Sequence, residues 1–201
     1  MKLFWSPASP FARKVRSVAR EKGLAGRVEE IQVAVYDDPA ELLAVNPLGK
    51  IPALILDDDA ALYDSPVICA YLDAHPDGQG APLVPASGME RWRVLRAEAL
   101  ADGAMDLALG LILENRKPQG ERSPTTAARS WSQLRRAVKA MPAEIAALPQ
   151  GFTLGHLALA CALGYFDLRH PGMGWRDEQA ELARWYEEIA RRPSLAATAP
   201  S

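Results

Sequence analysis

The chain has 201 residues, 49% of them hydrophobic and 24% charged, an ordinary globular composition with length for one or two cores. Its 23 basic and 25 acidic side chains leave a formal charge of −2, which removes any electrostatic case for binding nucleic acid. No apolar stretch reaches the roughly 18–20 residues that cross a bilayer, and residues 1–7 hold too short an apolar run for a signal peptide, so a cytoplasmic location with no membrane partner is expected. Cys69 and Cys161 sit in apolar, helix-like runs without the close partner of a metal or redox motif, and read as buried free thiols.

Residues 2–5 (KLFW) predict a strand stopped by Ser6-Pro7. A helix is predicted from Ser9-Pro10, because serine is a favoured N-cap and proline suits the first helical position. Phe11, Val15, Val18 and Ala19 follow at helical spacing, and Gly23 marks the stop. Residues 27–35 predict a second strand and 39–45 a short helix. Residues 49–56 and 60–63 predict two strands around the acidic turn Asp57-Asp58-Asp59. Ser65-Pro66 repeats the cap-then-proline start, with Val67, Ile68, Tyr71 and Leu72 on one face. The predicted order is βαβαββα.

Prolines and glycines punctuate residues 75–87, so a domain covering 1–75, a linker at 76–86 and a second domain at 87–201 are expected. The second domain reads as all helix. Trp92, Leu95, Ala99, Met105, Leu109 and Leu113 form one stripe, and Trp131, Leu134, Val138 and Met141 another, with Pro142 expected to end or kink its helix. Residues 154–168 have no polar face, which implies a helix buried at the centre of that domain. Leu182, Trp185, Tyr186 and Ile189 mark a last helix.

Three constellations carry possible chemistry. At Ser9-Pro10-Phe11 the unpaired amides and dipole of a helix start favour an anion, and a serine hydroxyl there can donate to a thiolate; the plain alternative is an N-cap. Ser6 competes for the same role from nearer the strand. Ile51-Pro52 precedes a strand, and a cis bond there would turn the Ile51 backbone toward a peptide-like ligand; otherwise Pro52 merely opens an edge strand. Asp64-Ser65 at a third helix start suits the ammonium and carboxylate of an amino-acid head group, or is an ordinary cap. His75, His156 and His170 show no metal-ligand spacing. The basic clusters Arg13, Lys14, Arg16, Arg20 and Arg91, Arg93, Arg96 are expected mostly on solvated faces, with Arg13 adding positive potential near Ser9.

Taken together, SPASPFARKVR from Ser6, NPLGKIPAL from Asn46, LYDSPVICAYLD from Leu62, FTLGHLALACALGYFDLR from Phe152 and RRPSL from Arg191 resemble bacterial soluble glutathione S-transferases over nearly the whole chain. The resemblance implies a thioredoxin-like glutathione-binding domain (α/β) followed by an all-α domain that holds an electrophile. It implies Ser9 as the catalytic hydroxyl of a serine-type site, where relatives of another type carry a nucleophilic cysteine. Phe11, Lys50, Ile51, Pro52, Asp64 and Ser65 would then contact glutathione. Pro52 matches a cis proline, Lys50 would lie near the glycyl carboxylate, and Ser65 and Asp64 would take the γ-glutamyl end. Glutathione as co-substrate, a small hydrophobic electrophile, no metal and a homodimer complete what the family implies. The same thiolate would serve peroxide reduction, dehalogenation or isomerisation, and a non-catalytic binding protein is the other reading. His156 stands where the family's core helix carries an aspartate in its capping box, an expected loss of about 0.3–1 kcal/mol.

Overall fold

The computed structural model describes residues 1–200. Successive residues of β1 (Lys2–Trp5) point to opposite faces, so Leu3 and Phe4 enter two different cores. β1 pairs in parallel with β2 (Glu29–Gln32) and antiparallel with β3 (Ala53–Ile55), and β4 (Ala61–Leu62) lies antiparallel beyond β3. The sheet order is β2-β1-β3-β4. Helices α1 (Pro10–Glu21) and α3 (Ser65–Asp73) cover the face of Leu3 and Leu54, and α2 (Ala40–Val45) covers the other with Leu42 on Phe4, Val33 and Ala53. This is the expected thioredoxin-like order βαβαββα.

The strands are shorter than the apolar runs predict. Residues 25–27 and 35–37 are 3₁₀ turns, and residues 49–52 form a corner with Gly49 at φ 60° and a cis Ile51–Pro52 bond, so neither end joins the ladder. In α3 the N-cap is Asp64 rather than Ser65, with Pro66 inside the first turn, where a missing N–H has no helical partner to lose. Ile68 and Leu72 of the predicted face are buried, with Cys69 beside them and Tyr71 partly so, whereas Val67 is exposed.

Beyond α3, Asp73 accepts from the Leu83 and Val84 amides at 2.8 and 3.0 Å and so anchors the irregular segment that follows. α4 (Gly88–Arg116) and α5 (Pro124–Ala147) then pack with α6 (Leu154–Arg169), and three short helices close the chain: α7 (Trp175–Glu178), α8 (Ala180–Ile189) and α9 (Pro193–Ala196). Of the predicted stripe on α4, only Met105 belongs to the buried seam. That seam is Val94, Ala97, Ala101, Ala104, Met105, Ala108 and Leu111, while Trp92 is 60% exposed. Small residues let helix backbones approach closely, so the largest apolar residues are not the ones at the contact. α5 continues through Pro142, because Ile145 and Leu148 pack on the core and hold the last turn. Leu148 fills the space left at Gly155, where a Cβ would come within 2.8 Å. α6 is buried as expected, along with both cysteines, and burial pushes the Cys161 thiol up to about 11.

The basic face of α1 is not solvated. Arg13 and Lys14 are buried, and Lys14 Nζ donates to Glu98 Oε1 at 2.8 Å and Asp102 Oδ2 at 2.6 Å, tying α1 to α4. Burial opposes the ammonium, but the facing carboxylates more than offset it and hold its pKa above the ordinary lysine value. Arg13, Ser17 and Glu21, spaced four apart on α1, hold the C-terminal segment: Arg13 donates to the Leu195 carbonyl, Ser17 pairs with Thr198, and Glu21 takes a two-pronged bond from Arg192. Among the described residues no helix is long and apolar enough to cross a membrane.

Candidate active site

A cleft of about 470 Å³ opens between the sheet domain and the ends of α4 and α6. Ser9 stands at its edge for a local reason: the chain leaves β1, bends with the Ser9 amide on the Ser6 carbonyl at 3.1 Å, and starts α1 at Pro10. Ser9 Oγ accepts from the Ala12 amide at 3.2 Å and the Ser9 carbonyl accepts from the Arg13 amide at 3.0 Å. Pro10 has no N–H. The Phe11 amide is thereby the free donor of the first turn. Ser9 is an N-cap, and capping uses only a lone pair of its oxygen, so the hydroxyl proton stays available to a second partner.

Ser6, Ser9, Phe11, Lys50 and Ile51 all line the cleft. Pro52 is buried behind them, its bond to Ile51 cis. Asp64 and the buried Ser65 are not on the cleft wall, but they begin α3 close by: Asp64 and Lys50 both act on Asp106, which does line it. Burial raises the Asp106 carboxyl, Lys50 draws it back and Asp64 adds to the rise. Asp64 makes no capping hydrogen bond, so its carboxylate is unspent at a helix start.

Two expectations fail here. Arg13 is only 3% exposed and turns toward α6 and Leu195, where its guanidinium takes the room left by the absent Cβ of Gly164; it does not face the cleft. Met105, read on one stripe with Leu109 and Leu113, is core, while those two leucines line the cleft. Tyr36, Asp106, Ile112, Arg116, Tyr165 and Arg169, none of them among the residues expected at the site, also stand on the wall. The i, i+3, i+7 spacing of Asp106, Leu109 and Leu113 with Arg116 was available as a signal that one face of α4 is mixed rather than solvated.

The three histidines have separate structural partners. His75 lies edge-on to Tyr71, His170 pairs with the Ala108 carbonyl at 2.9 Å, and His156 Nδ1 accepts from the Thr153 amide at 3.3 Å. The last contact completes a capping box with histidine in place of a carboxylate.

Residues 8–75 match the glutathione S-transferase N-terminal domain family and residues 124–188 its C-terminal domain family. YibF, an uncharacterized GST-like protein of Escherichia coli K12, is 30% identical over 203 residues, covering 100% of this chain and 98% of that protein. Among solved structures, a glutathione transferase family member from Pseudomonas fluorescens with bound glutathione superimposes with a TM-score of 0.94 and 41% identity, covering 100% of this chain and 98% of the other. A glutathione S-transferase from Methylobacillus flagellatus, also with glutathione bound, gives 0.89 and 38%, covering 100% and 99%. With both of its domain families present and a full-length relative at that identity, this chain belongs to the glutathione S-transferase family.

Proposed function

We propose that this protein is a glutathione transferase in which Ser9 activates the thiol of bound glutathione. Residues 1–75 form the glutathione-binding part and 87–201 the part that holds a small hydrophobic electrophile. The backbone of Ile51 beside Pro52 pairs with the cysteinyl unit, Lys50 neutralises the glycyl carboxylate, and Asp64 and Ser65 take the γ-glutamyl ammonium and carboxylate. Phe11 lies against the tripeptide and offers its free amide to the sulfur. Ser9 donates its hydroxyl hydrogen bond to the sulfur, the thiol proton leaves to solvent, and the thiolate forms a C–S bond as the leaving group departs with its electron pair. Lowering a thiol of pKa about 8.5 by about two units corresponds to about 2.7 kcal/mol of preference for the thiolate. No metal takes part.

The observation that carries this reading is the Ser9 hydroxyl on the cleft wall beside the one uncommitted amide of its helix. The glutathione-bound relatives at 41% and 38% identity support the ligand. Titrating the bound thiol by its ultraviolet thiolate absorbance tests the role of Ser9. Ser9→Ala should raise the pKa and lower the conjugation rate at neutral pH by about tenfold or more; unchanged values would remove the role from Ser9, and the loss seen instead in Ser6→Ala alone would transfer it to Ser6. The protein is further proposed to work as a homodimer, with Tyr63, Val67, Met89 and Trp92, large apolar side chains exposed on the isolated chain, as the covered surface.

A further inference from the structure

The outer half of the cleft is built differently from the edge at Ser9. Asp106, Leu109, Ile112, Leu113 and Arg116 line it along one side of α4. At 1.5 Å per residue that line is about 15 Å long. Asp106 marks one end, near Lys50 and Asp64, and Arg116 the other. Beside Arg116 the wall is completed by Arg169 at the end of α6, by Tyr165 and by Tyr36, whose ring centroid lies 5.1 Å from the Arg116 guanidinium carbon. Tyr165 is 3% exposed. Burial raises its phenol, and both arginines are near enough to oppose that rise.

Neither Arg116, which is exposed, nor the half-buried Arg169 forms a salt bridge among the described residues, a condition shared with other arginines of the surface; what sets these two apart is that both line one cleft. Of the cleft's two acids, Asp106 answers to Lys50 and Asp64, and Asp38 stands beside Gly49, where a Cβ would lie 3.7 Å from its Oδ1. Each arginine is the last residue of its helix, where the dipole favours a cation. The dipole does not require both side chains to line the same cavity with a buried phenol on which both act.

We propose that the second substrate is an electrophile carrying a carboxylate at the end remote from its reacting carbon. Its apolar body lies along Leu109, Ile112 and Leu113, and its carboxylate is held by Arg116, Arg169 and the Tyr165 hydroxyl. This rests on the transferase reading given above and narrows its substrate class. A carboxylate could instead come from glutathione itself. Lys50, on the sheet domain beside Ile51, already serves the tripeptide's glycyl end, and the arginine pair sits across the apolar stretch from it.

4-(Chloromethyl)benzoate and its methyl ester share a reacting carbon and differ in remote charge. With the native protein and glutathione, kcat/KM should favour the acid by about tenfold, the discrimination a charge-assisted carboxylate site supplies. Arg116→Gln and Arg169→Gln should each pull the acid-to-ester ratio toward one, and Arg169→Lys should keep most of it. Glutathione affinity, read by titration calorimetry, should be the same in all of them. An acid-to-ester ratio near one in native protein that binds glutathione and turns over the ester overturns the anion site and leaves the transferase reading standing. Weakened glutathione binding in both glutamine variants assigns the arginines to the tripeptide and also overturns it. Absence of both glutathione binding and turnover removes the transferase reading, and the proposal falls with it.

Discussion

Ser9 Oγ accepts from the Ala12 amide at 3.2 Å, so its removal has two separable consequences. Ser9→Ala loses a cap and should destabilise the protein by about 1 kcal/mol in urea unfolding. Ser9→Asp keeps an acceptor for the same amide and should cost only a few tenths of that, yet it places an anion beside the proposed thiolate and should depress conjugation at least as much as alanine. A common loss of activity with unequal losses of stability is the signature expected of a residue that is both cap and thiol donor. His156 gives a second prediction. Its Nδ1 accepts from the Thr153 amide and its ring stacks on Phe152, an arrangement only the neutral ring can make; burial lowers its pKa below the ordinary 6.5. The unfolded chain therefore takes up this proton first as pH falls. The stabilisation is intact above about 6.5 and declines as pH drops from there to the folded value. His156→Gln retains an acceptor at the capping-box position, so the difference between its melting curve and that of the native protein should vanish from the pH dependence above 6.5 and grow below it. His170, also lowered by burial, stays common to both and cancels.

α1 connects the site to the fold's interior. Five residues after Ser9, Lys14 is fully buried with its ammonium on Glu98 and Asp102 of α4. Lys14→Met would leave the buried Glu98 and the partly exposed Asp102 without their cation and should cost up to about 3 kcal/mol, measured by urea unfolding. The triple variant with Glu98→Gln and Asp102→Asn should recover much of that, because the penalty is the unpaired charge rather than the missing lysine. Burial raises the Asp102 carboxyl to about 6 despite its contact with Lys14, although its side chain keeps 17% exposure. The partnership was not legible in the chain: RKVR reads as a solvated basic run until α4 supplies acids at the spacing of one helical turn. Ser9-Pro10 and Ser65-Pro66 were legible as helix starts because proline constrains its own turn, whereas which of Asp64 and Ser65 caps was decided by the turn entering α3.

The isolated chain exposes Trp92 by 60%, Met89 by 64% and Val67 by 46%, apolar surface that a homodimer would cover. Sedimentation equilibrium should give twice the 21.8 kDa chain mass, and Trp92→Glu should shift the protein toward the monomer. The order βαβαββα, the central burial of α6 and the turns that carry Ser9 and Ile51, both on the cleft wall, follow from local patterns: alternation, caps, and proline and glycine punctuation act within a few residues of themselves; Lys50 entered only through the family resemblance. The α4 seam and the continuation of α5 past Pro142 do not, because packing against another helix selects which face is buried and can offset about 3 kcal/mol lost to a proline. The far wall of the cleft belongs to that second kind. Tyr36, Arg116, Tyr165 and Arg169 are up to 133 positions apart in the chain, and no local rule relates them. The docking of α1 on α4 and α6 brings their side chains around one cavity, so the residues that would activate the thiol can be read along the chain, while those that would choose its partner exist as a group only in the folded molecule.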